Sequence, residues 1–89
     1  MPKPIHRQEH LILTRLVRDR RKAAGVSQVD LSRLIDRPQS FISDVETGKR
    51  KLDLVQTDDI CRALGTKLSD LVIEYEAATK KRRQPKSKK

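Results

Sequence analysis

Helix-stopping residues divide this sequence into five short segments, and that division constrains the fold more than any other feature. The three glycines of the chain, Gly25, Gly48 and Gly65, each follow apolar residues at helical spacing, where a left-handed residue commonly ends a helix. Pro38 adds a fourth stop, because proline disfavours helical angles in the preceding residue and is tolerated only at a helix start. None of the segments shows the alternation typical of a β-strand. The sequence therefore predicts an all-α fold of five helices.

The apolar pattern gives approximate bounds for these helices. In chain order we expect them over about residues 8–24, 28–35, 39–46, 54–64 and from 69 onwards. Ser27 is a good N-cap for predicted helix 2. The side chains expected to face the core from predicted helices 2 and 3 are Leu31, Leu34, Ile35, Phe41, Ile42 and Val45.

Positive charge is abundant and unevenly distributed. The 89-residue chain has a formal net charge of +9, which favours a polyanionic partner. Residues 80–89 include seven basic, no acidic and no apolar side chains, so we expect a disordered basic tail there. We expect an N-terminal arm over 1–9 and one folded domain over 10–79. Within that body the basic excess lies before residue 52 and the acidic excess after it, which predicts a basic pole and an acidic pole.

Several classes of protein are disfavoured by composition. Cys61 is the single cysteine, which rules out an intramolecular disulfide and favours a reducing cytoplasm. The longest apolar run has three residues, so we expect no membrane association. His6 and His10 lack a nearby third ligand, and Asp58 and Asp59 are better explained as acidic charge near the start of a helix. We therefore predict no catalytic residues, no metal site and no cofactor.

Predicted helices 2 and 3 have the features of a helix-turn-helix unit. Two helices of about eight residues are joined by a tight turn, and their close crossing requires a small residue, for which Ser32 is suitable. The exposed face of predicted helix 3 consists of short polar side chains, namely Gln39, Ser40, Ser43 and Asp44. Such side chains are able to bond base edges in a major groove, although a solvated polar face is the simpler alternative.

Over about residues 10–76 the sequence resembles the Cro/cI-type helix-turn-helix domain of phage repressors and related bacterial regulators. The most specific matches are the Gly-x-Ser-Gln run at 25–28, the Gln-Ser-Phe-Ile-Ser run at 39–43, the Glu-x-Gly-Lys-Arg run at 46–50 and the Ala-Leu-Gly run at 63–65. The resemblance implies a DNA-binding regulator that is bacterial or phage-encoded, cytoplasmic and associated with the nucleoid.

The resemblance also implies roles for individual positions. Gln39, Ser40 and Asp44 match base-reading positions, since glutamine bonds adenine well and aspartate accepts from cytosine N4. The residues expected to contact DNA phosphates are Gln28, Ser43, Lys49, Arg50 and Lys51. The resemblance also implies that Gln28 braces predicted helix 3. Arg21 and Glu46 match an ion pair that orients predicted helix 3 and has no chemical role.

The sequence departs from the family pattern at two positions. Asp36 occupies the turn position usually filled by glycine, and an aspartate adopts the left-handed conformation at some cost. Ser32 replaces the usual alanine, and its hydroxyl is expected to bond a helix carbonyl four residues earlier.

The aliphatic face of predicted helix 5 indicates a homodimer. The residues expected in the interface are Leu68, Leu71, Val72 and Tyr75. A symmetric dimer sets two recognition helices about one DNA turn apart, roughly 34 Å, and so predicts a palindromic operator. We therefore expect a sequence-specific transcriptional regulator, either a repressor or an autoregulatory controller.

Two alternatives stay open at this point. The first is the antitoxin of a toxin–antitoxin pair, which would also autoregulate its operon. It would need a surface for its toxin partner, and the segments available for it are residues 1–9 and the tail from about Ala77. The second is a nonspecific nucleic-acid-binding protein, which would depend on the basic tail alone. RNA polymerase is a further candidate partner if the protein regulates transcription.

Overall fold

The computed structural model describes residues 6–82, and within that range the chain forms five α-helices and no strand. The helices are α1 His6–Ala23, α2 Gln28–Leu34, α3 Gln39–Glu46, α4 Leu54–Ala63 and α5 Leu68–Arg82. The prediction of an all-α, five-helix fold is confirmed. None of these helices has both the length and the apolar composition that a membrane span requires.

Two helices extend beyond their expected bounds. α1 begins at His6, two residues before its expected start and within the predicted N-terminal arm of residues 1–9, and α5 includes residues 80–82 of the predicted disordered tail. Charge alone does not end a helix, and lysine and arginine have high helix propensity. The remaining parts of the predicted arm and tail, residues 1–5 and 83–89, lie outside the described residues.

The helix N-termini follow two different patterns. Ser27 is the predicted N-cap of α2, and its hydroxyl accepts a hydrogen bond from the Asp30 amide at 3.0 Å. Asp53 and Gln56 form a reciprocal capping box at the start of α4, where the sequence pattern predicts only a loop before the helix. Pro38 is the N-cap of α3 and offers no side-chain cap, so the first amides of that helix are left without a side-chain partner at this end.

Helices α1 to α4 end in the same hydrogen-bonded motif, in which the residue after the C-cap has a positive φ. At the end of α2 the Arg37 amide donates to the Ser32 carbonyl at 2.8 Å, and the Asp36 amide donates to the Arg33 carbonyl at 3.1 Å. The other three helices make the equivalent pair of bonds around Gly25, Gly48 and Gly65. Asp36 therefore takes the place of a glycine, at φ 57°, in the turn that joins α2 to α3.

Every helix contributes to one small apolar core. Its fully buried residues are Val17, Leu31, Phe41, Ile42, Val45, Ile60, Cys61 and Leu71. Burial raises the pKa of the Cys61 thiol, nearby Asp58 raises it further and Arg20 partly lowers it. Cys61 therefore stays a protonated, small hydrophobic side chain and is a poor nucleophile.

Two leucines lie where the sequence pattern did not place them. Leu34 was expected to face the core but is 60% exposed, because α2 packs against α3 and α4 on the side occupied by Leu31 and Ile35. Leu71 was expected in a dimer interface but is only 1% exposed, because α5 packs against both α1 and α4 and Leu71 lies between them. Leu71 therefore belongs to the core of a single protomer.

A buried ion pair joins α1 to the end of α3. The Arg21 Nε atom donates to Glu46 Oε2 at 2.6 Å and its Nη2 atom donates to Glu46 Oε1 at 3.1 Å, so the pair is bidentate. The third nitrogen of the guanidinium, Nη1, donates to the Val26 carbonyl at 2.8 Å. The two side chains are 10% and 4% exposed. The ion pair inferred from the resemblance thus forms, and its burial makes loss of either partner costly.

Substitutions at Asp36 measure the strain in the α2–α3 turn. We expect Asp36→Gly to raise the free energy of unfolding by up to about 1 kcal/mol, because glycine adopts a positive φ without steric cost. We expect Asp36→Ala to lower it by about 1 kcal/mol, because alanine lacks the short polar group that eases this conformation. Urea denaturation checks both. Gly25→Ala is the control, since its new Cβ would meet no atom within 4 Å and would report the cost of φ alone. A destabilised glycine variant would contradict the assignment of strain.

Substitutions of two carboxylates separate the buried ion pair from an exposed one. We expect Glu46→Gln to lower the free energy of unfolding by about 3 kcal/mol, because it leaves the Arg21 charge buried without a counter-charge. The matched control is Asp58→Asn, which breaks an exposed pair with Arg62 one turn away on α4. That change should cost no more than about 0.5 kcal/mol. Equal effects of the two substitutions in urea denaturation would show that the buried pair does not hold α3.

Candidate nucleic-acid interface

The crossing of α2 and α3 is tight and largely apolar. Ser32, the small residue predicted for this crossing, is 4% exposed beside Leu31, which is fully buried. The Ser32 hydroxyl donates to the Val29 carbonyl at 2.6 Å, which is three residues back and not the four expected. The hydroxyl is therefore satisfied within its own helix, which lets a polar residue lie in a buried contact. Ile42 and Val45 complete the contact from α3.

The outer face of α3 carries the polar side chains that the sequence singled out. Gln39 and Ser40, in the first turn, are exposed, and Ser43 and Asp44, one turn later, are half-buried. Residues four apart lie on the same side of a helix, so these two turns form one continuous polar face. The structure thus brings the three predicted base-reading residues and Ser43 together on one surface.

A chain of hydrogen bonds connects this face to the buried ion pair. The Gln28 Nε2 atom donates to Glu46 Oε1 at 2.9 Å, and the Gln39 Nε2 atom donates to Gln28 Oε1 at 3.3 Å. Glu46 is the last residue of α3, Gln39 is its first, and Gln28 opens α2. The network therefore holds both ends of α3 against α2 and, through Arg21, against α1. Of the two roles that the resemblance implied for Gln28, bracing is visible in the structure.

The loop after α3 presents three cations close to the polar face. Lys49, Arg50 and Lys51 are all exposed. The amides of Lys49 and Arg50 both donate to the Asp44 carbonyl, at 2.8 and 3.1 Å. Because the start of this loop is bonded to the end of α3, its positive charge has a defined position relative to the polar face.

One contact that involves both ends of α3 was not predicted from the sequence. The guanidinium carbon of Arg37, in the α2–α3 turn, lies 5.1 Å from the centroid of the Phe41 ring. The guanidinium carbon of Arg50 lies 5.0 Å from the same centroid. The four-residue spacing of Arg37 and Phe41 was the one signal for this contact in the sequence. It is not a helical spacing here, because Arg37 lies in the turn before α3. The apolar pattern assigns Phe41 to the core alone.

The expected interface residues on α5 lie along an open groove. The groove has a volume of about 400 Å³ and is bounded by α1, the loop before α4, the first turn of α4, and α5. Leu68 and Tyr75 are half-buried on its wall, and Val72 is 38% exposed. Leu71 also lines it but is buried at its base. Three of the four predicted interface residues therefore remain accessible to a partner.

Comparison with known proteins gives a consistent result. The profile of the family described as Helix-turn-helix domain matches residues 12–72. An XRE-family like protein from Pseudomonas syringae pv. tomato str. DC3000 is 39% identical, with 84% of this chain and 92% of that chain covered and a TM-score of 0.78. The restriction-modification controller protein C.AhdI from Aeromonas hydrophila is 28% identical, with 75% and 97% covered and a TM-score of 0.71.

A third similarity concerns the fold alone. The clp gene regulator ClgR from Corynebacterium glutamicum is 23% identical, with 91% of this chain and 83% of that chain covered and a TM-score of 0.73. No curated protein is similar enough to count as a match. The family match over most of the chain and the XRE-family likeness agree with the two-helix geometry described above. The chain therefore belongs to the Cro/cI-type, XRE-like family of helix-turn-helix regulators.

Proposed function

We propose that this protein is a sequence-specific DNA-binding transcriptional regulator that binds a palindromic operator as a homodimer, as a repressor or an autoregulatory controller. The observation that carries the proposal is the polar outer face of α3, which is accessible to solvent yet held at both ends by hydrogen bonds that lead to the buried Arg21–Glu46 pair. Such bracing stabilises the fold whatever the face contacts, but a face that only met water would not require its side chains to be held in fixed positions. A surface that must match base edges within a few tenths of an ångström gains specificity from it.

Gln39, Ser40 and Asp44 are the proposed base-reading residues. One amide hydrogen of Gln39 is engaged by Gln28, which leaves its carbonyl oxygen and second hydrogen free for a base. Asp44 lies one turn further along the same face and accepts from an amino group such as cytosine N4. The Gln39 amide is neutral and the Asp44 carboxylate is negative. Neither side chain therefore adds a general electrostatic attraction to DNA, and both contribute only through the bases that they contact.

Phosphate binding is proposed for residues that surround this face. Gln28 and Ser43 border it, and the exposed cations Lys49, Arg50 and Lys51 follow α3 directly. Contacts of this kind fix the register of the protein on the duplex and carry no sequence information of their own.

The groove along α5 is proposed to receive a second copy of the chain. Leu54 lines the groove and is 68% exposed, neighbouring Val55 is 69% exposed, and Val72 adds a third accessible apolar side chain. The Nε2 atom of His10, on the wall, is buried with no hydrogen-bond partner among the described residues. These features indicate a wall that is incomplete in one protomer. A twofold axis here would place two α3 helices on successive major grooves.

The likeness to a restriction–modification controller favours a controller role over that of an antitoxin. A toxin-binding surface was expected in the terminal segments, of which residues 1–5 and 83–89 lie outside the described residues. The nonspecific alternative depends on the same C-terminal residues. Sequence-selective loss of binding on substitution in α3 would exclude it.

Gln39→Ala tests the base-reading role. Selection of bound sites from random duplex DNA first defines the operator, its symmetry and its half-site spacing. On that operator we expect Gln39→Ala to weaken binding by about 1–3 kcal/mol, and on random DNA by little, because the substitution removes a bidentate bond to a base. Fluorescence anisotropy titrations give both affinities. Gln8→Ala, at an exposed glutamine of α1, is the matched control. Equal losses on the two DNAs would remove the proposed role.

Val72→Asp tests the dimer. Because Val72 is 38% exposed, a charge there is compatible with the folded protomer, unlike one at buried Leu71. We expect sedimentation velocity to show monomers with unchanged helicity, and operator affinity to fall. Leu34→Asp, at an accessible leucine on α2, should leave the dimer intact. If the Val72 variant stays dimeric, the interface lies elsewhere.

A further inference from the structure

Two arginines from opposite ends of α3 approach one aromatic ring. Arg37 comes before the helix and Arg50 after it, and both guanidinium carbons lie about 5 Å from the Phe41 centroid. Phe41 is the single phenylalanine of the chain and is 5% exposed, so its ring is a fixed part of the core. Both arginines are exposed. We call Arg37 and Arg50 the arginine pair.

We propose that the arginine pair is a two-point phosphate site for the DNA backbone, held in position by the ring of Phe41. Nothing in the sequence pattern assigned Arg37 to DNA binding, and Phe41 had only a core role. The inference rests on the proposed DNA-binding function and extends it, because it adds a phosphate contact on the turn before α3 and a residue that positions it.

The Phe41 ring positions both guanidinium groups of the arginine pair without neutralising their charge. Arg20, Arg21 and Arg62 each pair with a carboxylate, which cancels most of their charge. In the described part of the chain, Arg37 and Arg50 make no ion pair and no side-chain hydrogen bond. An aromatic ring attracts a guanidinium through its quadrupole and leaves its charge and its five N–H donors available. Cations oriented in this way are suited to an anionic partner.

Like charges are unfavourable at this spacing unless an anion lies between or beside them. Because both guanidiniums lie about 5 Å from one centroid, they are at most about 10 Å apart. The two positive charges repel each other over that distance, and more strongly near a protein surface than in bulk water, because the effective dielectric constant is lower there. Binding of phosphate removes this repulsion, so the anion gains affinity from an arrangement that costs the free protein stability.

The spacing and location of the pair fit a DNA strand. Each strand presents a phosphate about every 3.4 Å along the helix axis, so a span of up to about 10 Å covers neighbouring phosphates of one strand. Phe41 follows Ser40 directly and precedes Asp44 by three residues, which places the ring at the border of the base-reading face. A phosphate grip at this border would set how far α3 enters the groove.

The salt dependence of DNA binding tests the proposal. Removal of one phosphate contact should reduce the slope of log K against log salt by about 0.9, equally on operator and on random DNA. We expect this reduction for Arg37→Gln and for Arg50→Gln, and about twice the reduction for the double variant. Arg33→Gln is the matched control, because Arg33 is an exposed arginine four residues before Arg37 with no aromatic contact. Its slope should stay that of the unmodified protein.

Variants of the ring test its positioning role. Phe41→Leu keeps an apolar side chain and both charges, and we expect it to weaken binding to both DNAs about 2- to 5-fold, the worth of an exposed cation–π contact. Phe41→Tyr should restore the affinity. In a double-substitution cycle, Arg37→Gln should cost less affinity in the Phe41→Leu background than in the unmodified protein. A ring with only a structural role would give additive losses.

Two results would overturn the proposal. The first is an unchanged salt slope for Arg37→Gln. The second is an equal reduction for Arg33→Gln and Arg37→Gln, which would indicate general charge and no defined contact. Either result, together with a normal effect of Gln39→Ala on the operator, would remove the arginine pair and leave the regulator intact. If the unmodified protein selected no site at all, the proposed function itself would fail.

Discussion

The orientation of α3 depends on the buried carboxylate of Glu46. It accepts hydrogen bonds from Arg21 of α1 and from Gln28 of α2, so three helices meet at one group. Apolar packing is non-directional, and a helix of only two turns buries too few side chains to fix its own angle. A bidentate, charge-assisted contact is directional and supplies what the packing lacks. The orientation of the outer face of α3 thus combines this directional contact with the packing of Phe41, Ile42 and Val45.

Most of the fold was predictable from the sequence because the helix stops are local. A glycine or proline acts through the φ angle of its own residue, so Gly48 and Pro38 mark the ends of α3 whatever packs around it. Ser27 acts over three residues and was equally visible. The family resemblance extended this to the Arg21–Glu46 pair, whose 25-residue separation no local pattern contains.

The features that the sequence could not predict depend on which face meets which neighbour. Leu34 and Leu71 have the same chemistry, and their helices each pack against two others. Leu34 lies on the side of α2 away from those neighbours and is exposed, whereas Leu71 lies on the side of α5 that faces α1 and α4 and is buried. The contacts of Phe41 with Arg37 and Arg50 require a turn and a loop to fold back over the same ring. The periodicity of apolar residues gives no information about how a turn and a loop fold relative to a helix.

The arginines around α3 differ in whether their charge is neutralised within the protein or remains available to a partner. Arg21 is buried, neutralised by Glu46 and unable to reach a ligand, so it contributes only geometry. Arg50 is exposed and lies beside an uncharged ring, so its charge remains available. The polar face of α3 contains no cationic side chain, and its single charged residue is the acidic Asp44. In the proposed function, the cations at the edges of α3 attract phosphate, and the uncharged and acidic side chains at its centre discriminate among bases. A cation at that centre would attract DNA of any sequence and so reduce the penalty for a wrong base.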